Sequence, residues 1–385
     1  MNYRYLLFLA FLFSGVFSCS SSREELNEQP EMEFVLVDSL VFDELQTLRI
    51  LDYHPVKEIF LMVTQGLEGR YFIVNKNGEV LAEEILSEGP NAFGMVLHRA
   101  GFVGDELMFV SDQEIFIYDL ALQRQRNFSF EQETMVRMIH APLDNFNSFN
   151  IDNVPHGIAN LSDRLLDKYP LEYFDTLNYF HLVNSVTGEV VKGGKIDESS
   201  IFKQNYFYPR KDKPIFFSDM HSGVLSLILP ADSIVFQFDK NLGLANKIKL
   251  ERQEPDQLAR IPMEEAGRQE FGAVGKDISL GGSFTHIAGH GDGFIVEYKT
   301  GIDPEKNRSG LSREDLEANM ASRKTFYFPI KDGQQIGKAV PWEKPGILKL
   351  GLGNGRYLHY ADQADIHKEE KDYQCYYIYE LREKP

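Results

Sequence analysis

Histidines are the residues with the most chemistry to offer in this sequence. His54, His156, His221, His286, His290 and His359 are scattered along the chain, and only the 286/290 pair is close. A neutral imidazole is a zinc ligand, and three of them leave a fourth position open for an activated water. No HExxH motif or comparable local spacing is present, so folding would have to assemble such a site. Asp112, Asp219 and Asp292 lie near strand ends, where carboxylates can ligate calcium or act as general acid and base. The plain reading of all these side chains is turn and rim residues with ordinary hydrogen bonds. No catalytic residue and no cofactor is assigned, and zinc or calcium is the one cofactor chemistry left open.

Other motifs carry less. GLGNG at 351–355 lacks the Lys-Ser/Thr of a phosphate loop and reads as a tight turn before the last strands. GHGDG at 289–293 reads as a flexible loop, and no GxSxG is present. Among 29 Phe, 18 Tyr and 1 Trp, the stretches 205–209 (NYFYP) and 144–150 offer stacking faces for sugars or peptides, or simply pack.

The elements that must position these residues follow one pattern. A short aromatic or β-branched strand ends in Asn, Asp or Glu, and a polar turn usually follows. The copies are YFIVN at 71–75, IFIYD at 115–119, FHLVN at 180–184, VFQFD at 235–239, FYFPIKD at 326–332 and YYIYE at 376–380. Such strands suit a pleated sheet, Asn or Asp starts a turn, and Gly supplies positive φ. The copies recur about every 60 residues, a length that holds a four-stranded propeller blade. Further strand candidates precede them at 59–63, 107–111, 215–218, 294–298 and 357–360. The last copy ends without room for a fourth strand, and FVLVDSLVF at 34–42 can supply it. The expected fold is all-β, a six-bladed β-propeller of four-stranded blades closed by an N-terminal strand, with short helical insertions. A pair of stacked β-sandwiches is the rival. Helical spacing appears at 161–168 behind Ser162, at 257–271, and at 312–322, where Ser312 and Asp315 make a capping box. These insertions either build a binding surface or are solvated loops.

Composition bounds the function. With 385 residues, 43% hydrophobic and 25% charged, the chain can bury a core, so wholesale disorder is excluded. A net charge of −18 argues against a nucleic-acid partner, which needs a basic face. Two cysteines make neither a disulfide scaffold nor a four-cysteine zinc site. Arg4 followed by an apolar run at 5–13, too short to span a bilayer, reads as an export signal. The alternative is a plain secretory signal with a coincidental cysteine. The expected organisation is a signal peptide at 1–18, a tether at 19–32 and one propeller at 33–385, in place of the two or three domains that length alone suggests.

VFSC at 16–19 resembles the lipobox of bacterial lipoproteins. The resemblance implies cleavage before Cys19, its diacylation, and a membrane as partner. Ser20 stands where the inner-membrane retention signal has Asp, which points to the outer membrane. Cys375 then has no partner cysteine and reads as a small core residue. Together with the hairpins, SEGPNAFG at 87–94 is similar to the GxGPGEF loop of six-bladed propeller lipoproteins of Gram-negative bacteria, with Asn91 and Ala92 replacing Gly and Glu. Among them the chain most resembles the DUF4221 group. That resemblance implies a fold and an anchor, and no reaction.

The expected function is a lipid-anchored cell-envelope module that binds an envelope protein, peptide or glycan on one axial face of the ring. His54, His156, His221, His286 and His359 are its candidate ligand-binding residues. The alternative is a metal-dependent lyase or hydrolase in the axial channel, and a third is a structural partner of an outer-membrane complex. Whether the chain is an enzyme stays open, with binding favoured.

Overall fold

A computed structural model describes residues 29–65, 69–94, 97, 99–111, 114–129, 146–159, 172–208, 211, 213–219, 223–254, 258, 260–266, 281–291, 293–302, 312–367 and 371–385. Six antiparallel sheets form the blades of a propeller. Blade 1 is Leu48–His54, Ile59–Thr64, Arg70–Asn75 and Val80–Ile85. Blade 2 is Arg99–Val103, Glu106–Val110, Glu114–Tyr118 and Arg124–Ser129. Blade 3 is Ser148–Ile151, Val154–Ile158, Phe180–Asn184 and Val190–Gly193. Blade 4 is Ile215–Asp219, Val224–Ile228, Ile234–Phe238 and Leu244–Lys249. Blade 5 is Ser283–His290, Gly293–Lys299 and Thr325–Lys331, with an outer strand broken into Gln334–Gln335 and Val340–Trp342. Blade 6 joins Ile347–Gly353, Arg356–Tyr360 and Gln374–Glu383 to the N-terminal strand Met32–Phe42. The inner strand of each blade touches that of the next, and blade 6 touches blade 1.

Each of the six sequence copies is the third strand of a blade. Strands held between two blades are covered on both faces, so they read as unbroken apolar runs. Ile59–Thr64 is buried at every position. One apolar cluster fills each of the six seams between blades. Outer strands have a wet face, and Val80–Ile85 is accordingly mixed in composition and largely exposed.

The turns work as their residue types suggest. Asn75 Oδ1 accepts from the N–H groups of Asn77 and Glu79, and Asp119 Oδ1 from those of Ala121 and Gln123. Asn184 and Asp239 do the same in blades 3 and 4. Gly78 and Gly188 hold positive φ there, whereas Leu122 and Leu242 adopt it without a glycine.

The closing strand expected at 34–42 is present. It pairs antiparallel with Gln374–Glu383, from Met32 opposite Glu383 to Phe42 opposite Gln374, with a bulge between Leu36 and Asp38. The four upstream candidates at 59–63, 107–111, 294–298 and 357–360 are second strands, but 215–218 is the inner strand of blade 4. The helix Arg313–Ala321 starts at Ser312 with the capping box complete, while only Met263–Ala266 is helical in the described part of 257–271. The candidate helix at 161–168, residues 1–28 with Cys19, and His221 lie outside the described residues.

Loop 87–94 fastens blade 1 to blade 2. Phe93 packs on Tyr71 and Phe109, and the Asn91 carbonyl accepts from the Tyr118 hydroxyl at 2.6 Å. Within 205–209, Phe207 and Tyr208 are buried in the seam between blades 3 and 4, so packing consumes them. Cys375 is a buried free thiol, 6% exposed.

Candidate functional site

The inner strands run side by side around the axis, and the C-terminal parts of five of them, with residues 146–148 at the start of the blade 3 strand, surround a cavity of about 420 Å³. This size lies within the roughly 300–1,000 Å³ range of small-molecule sites. Every blade contributes, through Asp52, Phe102, Phe146, Phe217, Ile287 and Leu350 among others. Backbones must come close to enclose so narrow a space. A Cβ on Gly351 would lie 2.4–2.8 Å from the Gly289 backbone, so blades 5 and 6 meet through two glycines. These residues therefore belong to inner strands rather than to a turn before the last blade and a loop, as the sequence suggested. Turns follow them at Gly291 and at Asn354–Gly355, inside blades 5 and 6.

Asp52 is a buried carboxylic acid set in the apolar wall. Its Oδ1 accepts from the Tyr53 N–H at 2.8 Å and its Oδ2 from the Phe102 N–H at 2.7 Å. Burial dominates its titration and pushes the carboxyl up to about 7, against the opposing pull of those two hydrogen bonds and of the Lys349 charge. A Cβ at Gly101 would sit 2.4 Å from Asp52 Oδ2, so glycine is what lets the carboxyl reach its place. The strand pattern Ile50-Leu51-Asp52-Tyr53 carried the signal: a carboxylate embedded in an apolar inner strand. A perturbed acid in an apolar cavity marks a functional-site candidate.

His54 stands at the mouth, at the end of the same strand. Its Nδ1 accepts from the Lys57 N–H at 3.3 Å, and its Nε2 is 3.6 Å from Asp105 Oδ1. Burial holds the imidazole below the usual histidine range. On the far wall the Ser218 hydroxyl donates to the Ser148 carbonyl at 2.5 Å, and the Ser218 N–H donates to Asn147 Oδ1 at 3.2 Å. These bonds tie blade 3 to blade 4.

The other histidines do not join His54. His286 lines a second cavity, about 270 Å³, at the opposite ends of the inner strands, and donates Nε2 to the Lys349 carbonyl at 2.8 Å. His156, on the second strand of blade 3, donates Nδ1 to the Val154 carbonyl at 2.8 Å and lines neither cavity. His359, on the second strand of blade 6, donates Nε2 to the Pro345 carbonyl and packs against Trp342 and Tyr379. Three of the four described candidates thus spend a ring nitrogen on a backbone carbonyl. Among the described residues, no three of His, Cys, Asp and Glu are grouped to hold a metal ion. Asp112 and Asp292 lie outside the described residues, and Asp219 ends the inner strand of blade 4.

No family model matches the sequence, and no curated protein matches it significantly. Its likeness to solved structures is clear. A DUF4221-family protein from Bacteroides vulgatus matches over 93% of this chain and 100% of its own, at 12% identity and a TM-score of 0.63. A protein of Bacteroides fragilis described as exported matches over 92% of this chain and 95% of its own, at 10% identity and a TM-score of 0.50. A member of the group that the sequence resembles therefore shares this chain's fold over 93% of its length.

Proposed function

We propose that the chain is a lipid-anchored protein of the cell envelope that binds a ligand in its axial cavity. One observation carries this reading: all six blades, from residues 52 to 351, contribute to a single, largely apolar space with Asp52 deep inside it. A site assembled from so many segments is held rigidly, which lowers the ordering cost of binding. The anchor rests on the lipobox-like VFSC at 16–19. A Bacteroides fragilis protein of similar fold is described as exported, which supports the location.

Two experiments test it. Cys19→Ala should move the protein from the membrane to the soluble fraction; a variant that stays in the membrane refutes the anchor. The soluble Cys19→Ala chain should then retain compounds from an envelope extract, read by mass spectrometry after washing. Val56 is 81% exposed yet lines the cavity, so Val56→Trp can obstruct the mouth without disturbing the core. Retention unchanged by Val56→Trp would place binding elsewhere. A lyase or hydrolase at the same cavity is the second reading, because an acid near neutrality suits proton transfer. Turnover lost in Asp52→Asn would favour it.

A further inference from the structure

We propose that the axial cavity takes a cationic ligand, an organic ammonium whose charge meets Asp52 and whose apolar part lies among Phe102, Phe146 and Phe217. The inference rests on the cavity being a binding site and adds the chemical class of its ligand. Among the described residues, two carboxylates and no lysine or arginine line this space. Asp105 sits at the rim, 78% exposed at its side chain, and is matched by Lys57 at 3.0 Å. Asp52 is the deep one. Each of its oxygens accepts one backbone N–H, and a carboxylate oxygen has room for a second donor. Lys349 acts on it from the inner strand of blade 6 as the weakest of the influences on Asp52, and it does not line the cavity.

An ionised carboxylate in an apolar space is costly unless a positive charge joins it. Aromatic faces attract the same cations, because the ring quadrupole is negative over its face. An anion would meet Asp52 at close range in a low-dielectric site and be repelled. A neutral alcohol would gain the apolar contacts but not the charge. Burial pushes the Asp52 carboxyl up to about 7, so the free protein passes from protonated to ionised Asp52 across the neutral range, and an ammonium ion favours the ionised form. Among the described residues, the titratable groups around Asp52 are Tyr53 and His54 on its own strand, Asp105 of blade 2 and Lys349 of blade 6, with His286 of blade 5 behind Lys349. Blades 3 and 4 present Phe146, Asn147, Ser148, Phe217 and Ser218, none of which titrates.

The test uses the soluble Cys19→Ala chain and three probes of one shape: benzylammonium, benzyl alcohol and benzoate. Calorimetry at pH 8 should show benzylammonium at least tenfold tighter than benzyl alcohol, with benzoate weakest. Its affinity should fall roughly tenfold from pH 8 to pH 6, as Asp52 takes up its proton. Asp52→Asn should abolish both differences. Equal binding of benzyl alcohol and benzylammonium, blocked by Val56→Trp, would overturn the cationic preference and leave the cavity reading standing. Binding of none of the probes would overturn the preference as well, and retention from the envelope extract would then judge the cavity alone. Should Asp52→Asn fail to fold, a flat pH profile in the parent chain is enough to refute the proposal.

Discussion

At the residue scale, Asp52 makes a prediction about stability that needs no ligand. Its carboxyl titrates near 7 when folded and near the usual aspartate value of about 4 when unfolded. Between those values the folded chain holds the extra proton. Stability therefore falls as pH rises from about 4 to about 7 and levels off above. His54 and His359 are held low by burial and contribute a slope of opposite sign as pH drops below the ordinary histidine value. The difference between parent and Asp52→Asn cancels those terms. It also contains a constant penalty, since an amide NH2 would face one of the two backbone N–H groups. What remains is the Asp52 slope. Urea denaturation should show the variant gaining on the parent by on the order of 2–3 kcal/mol from pH 5 to pH 8. A pH-independent difference would mean that the carboxyl titrates normally. This residue was hard to read from sequence because its meaning comes from walls supplied by five other blades. The scatter of the histidines was hidden for the related reason that residue type is visible locally and convergence is not.

At the element scale, the third strands and their turns were legible because their physics is local. Asn75, Asp119, Asn184 and Asp239 each bond the turn that follows them, whatever the rest of the chain does. Outer strands such as Arg124–Ser129 were illegible, because their wet face removes the apolar run. The turns also reach outward. Gly188 of blade 3 packs against Phe128 on the outer strand of blade 2, and Arg126 of that strand donates to the Ser185 carbonyl. Leu242 of blade 4 covers Gly193 of blade 3. Gly333 of blade 5 meets Asn246 of blade 4. Gly78 of blade 1 completes the circle against Val41 of blade 6, where a Cβ would lie 2.2 Å from the Val41 carbonyl oxygen. Gly223 makes the comparison clean: it too has positive φ, but a Cβ there meets nothing within 4 Å. Both Ala substitutions lose about 1–2 kcal/mol to backbone conformation. Gly78→Ala should cost a further 1–3 kcal/mol for displacing a backbone carbonyl. Equal melting temperatures for the two variants would show that the seam yields freely.

At the scale of the whole molecule, the ring depends on a contact between its two chain ends. Met32–Phe42 is the outer strand of blade 6, and it buries Leu40 and Phe42 at 3% exposure each. Burying those two side chains stabilises by about 3–6 kcal/mol. That is a large share of the roughly 5–15 kcal/mol that holds a typical domain together. The strand also covers an edge: without it, Gln374–Glu383 would expose a ten-residue row of unpaired backbone groups. A chain starting at residue 43 should therefore associate or melt far below the full chain. Sizing chromatography and thermal unfolding measure both. A synthetic peptide of residues 30–42 should restore the monomer and most of the lost melting temperature, because it supplies the same register opposite Gln374–Glu383. A peptide with Leu40 and Phe42 replaced by Ala should fail, since it keeps the hydrogen bonds but loses the buried side chains. If the truncated chain is monomeric and melts with the parent, closure by the N-terminal strand adds nothing to stability.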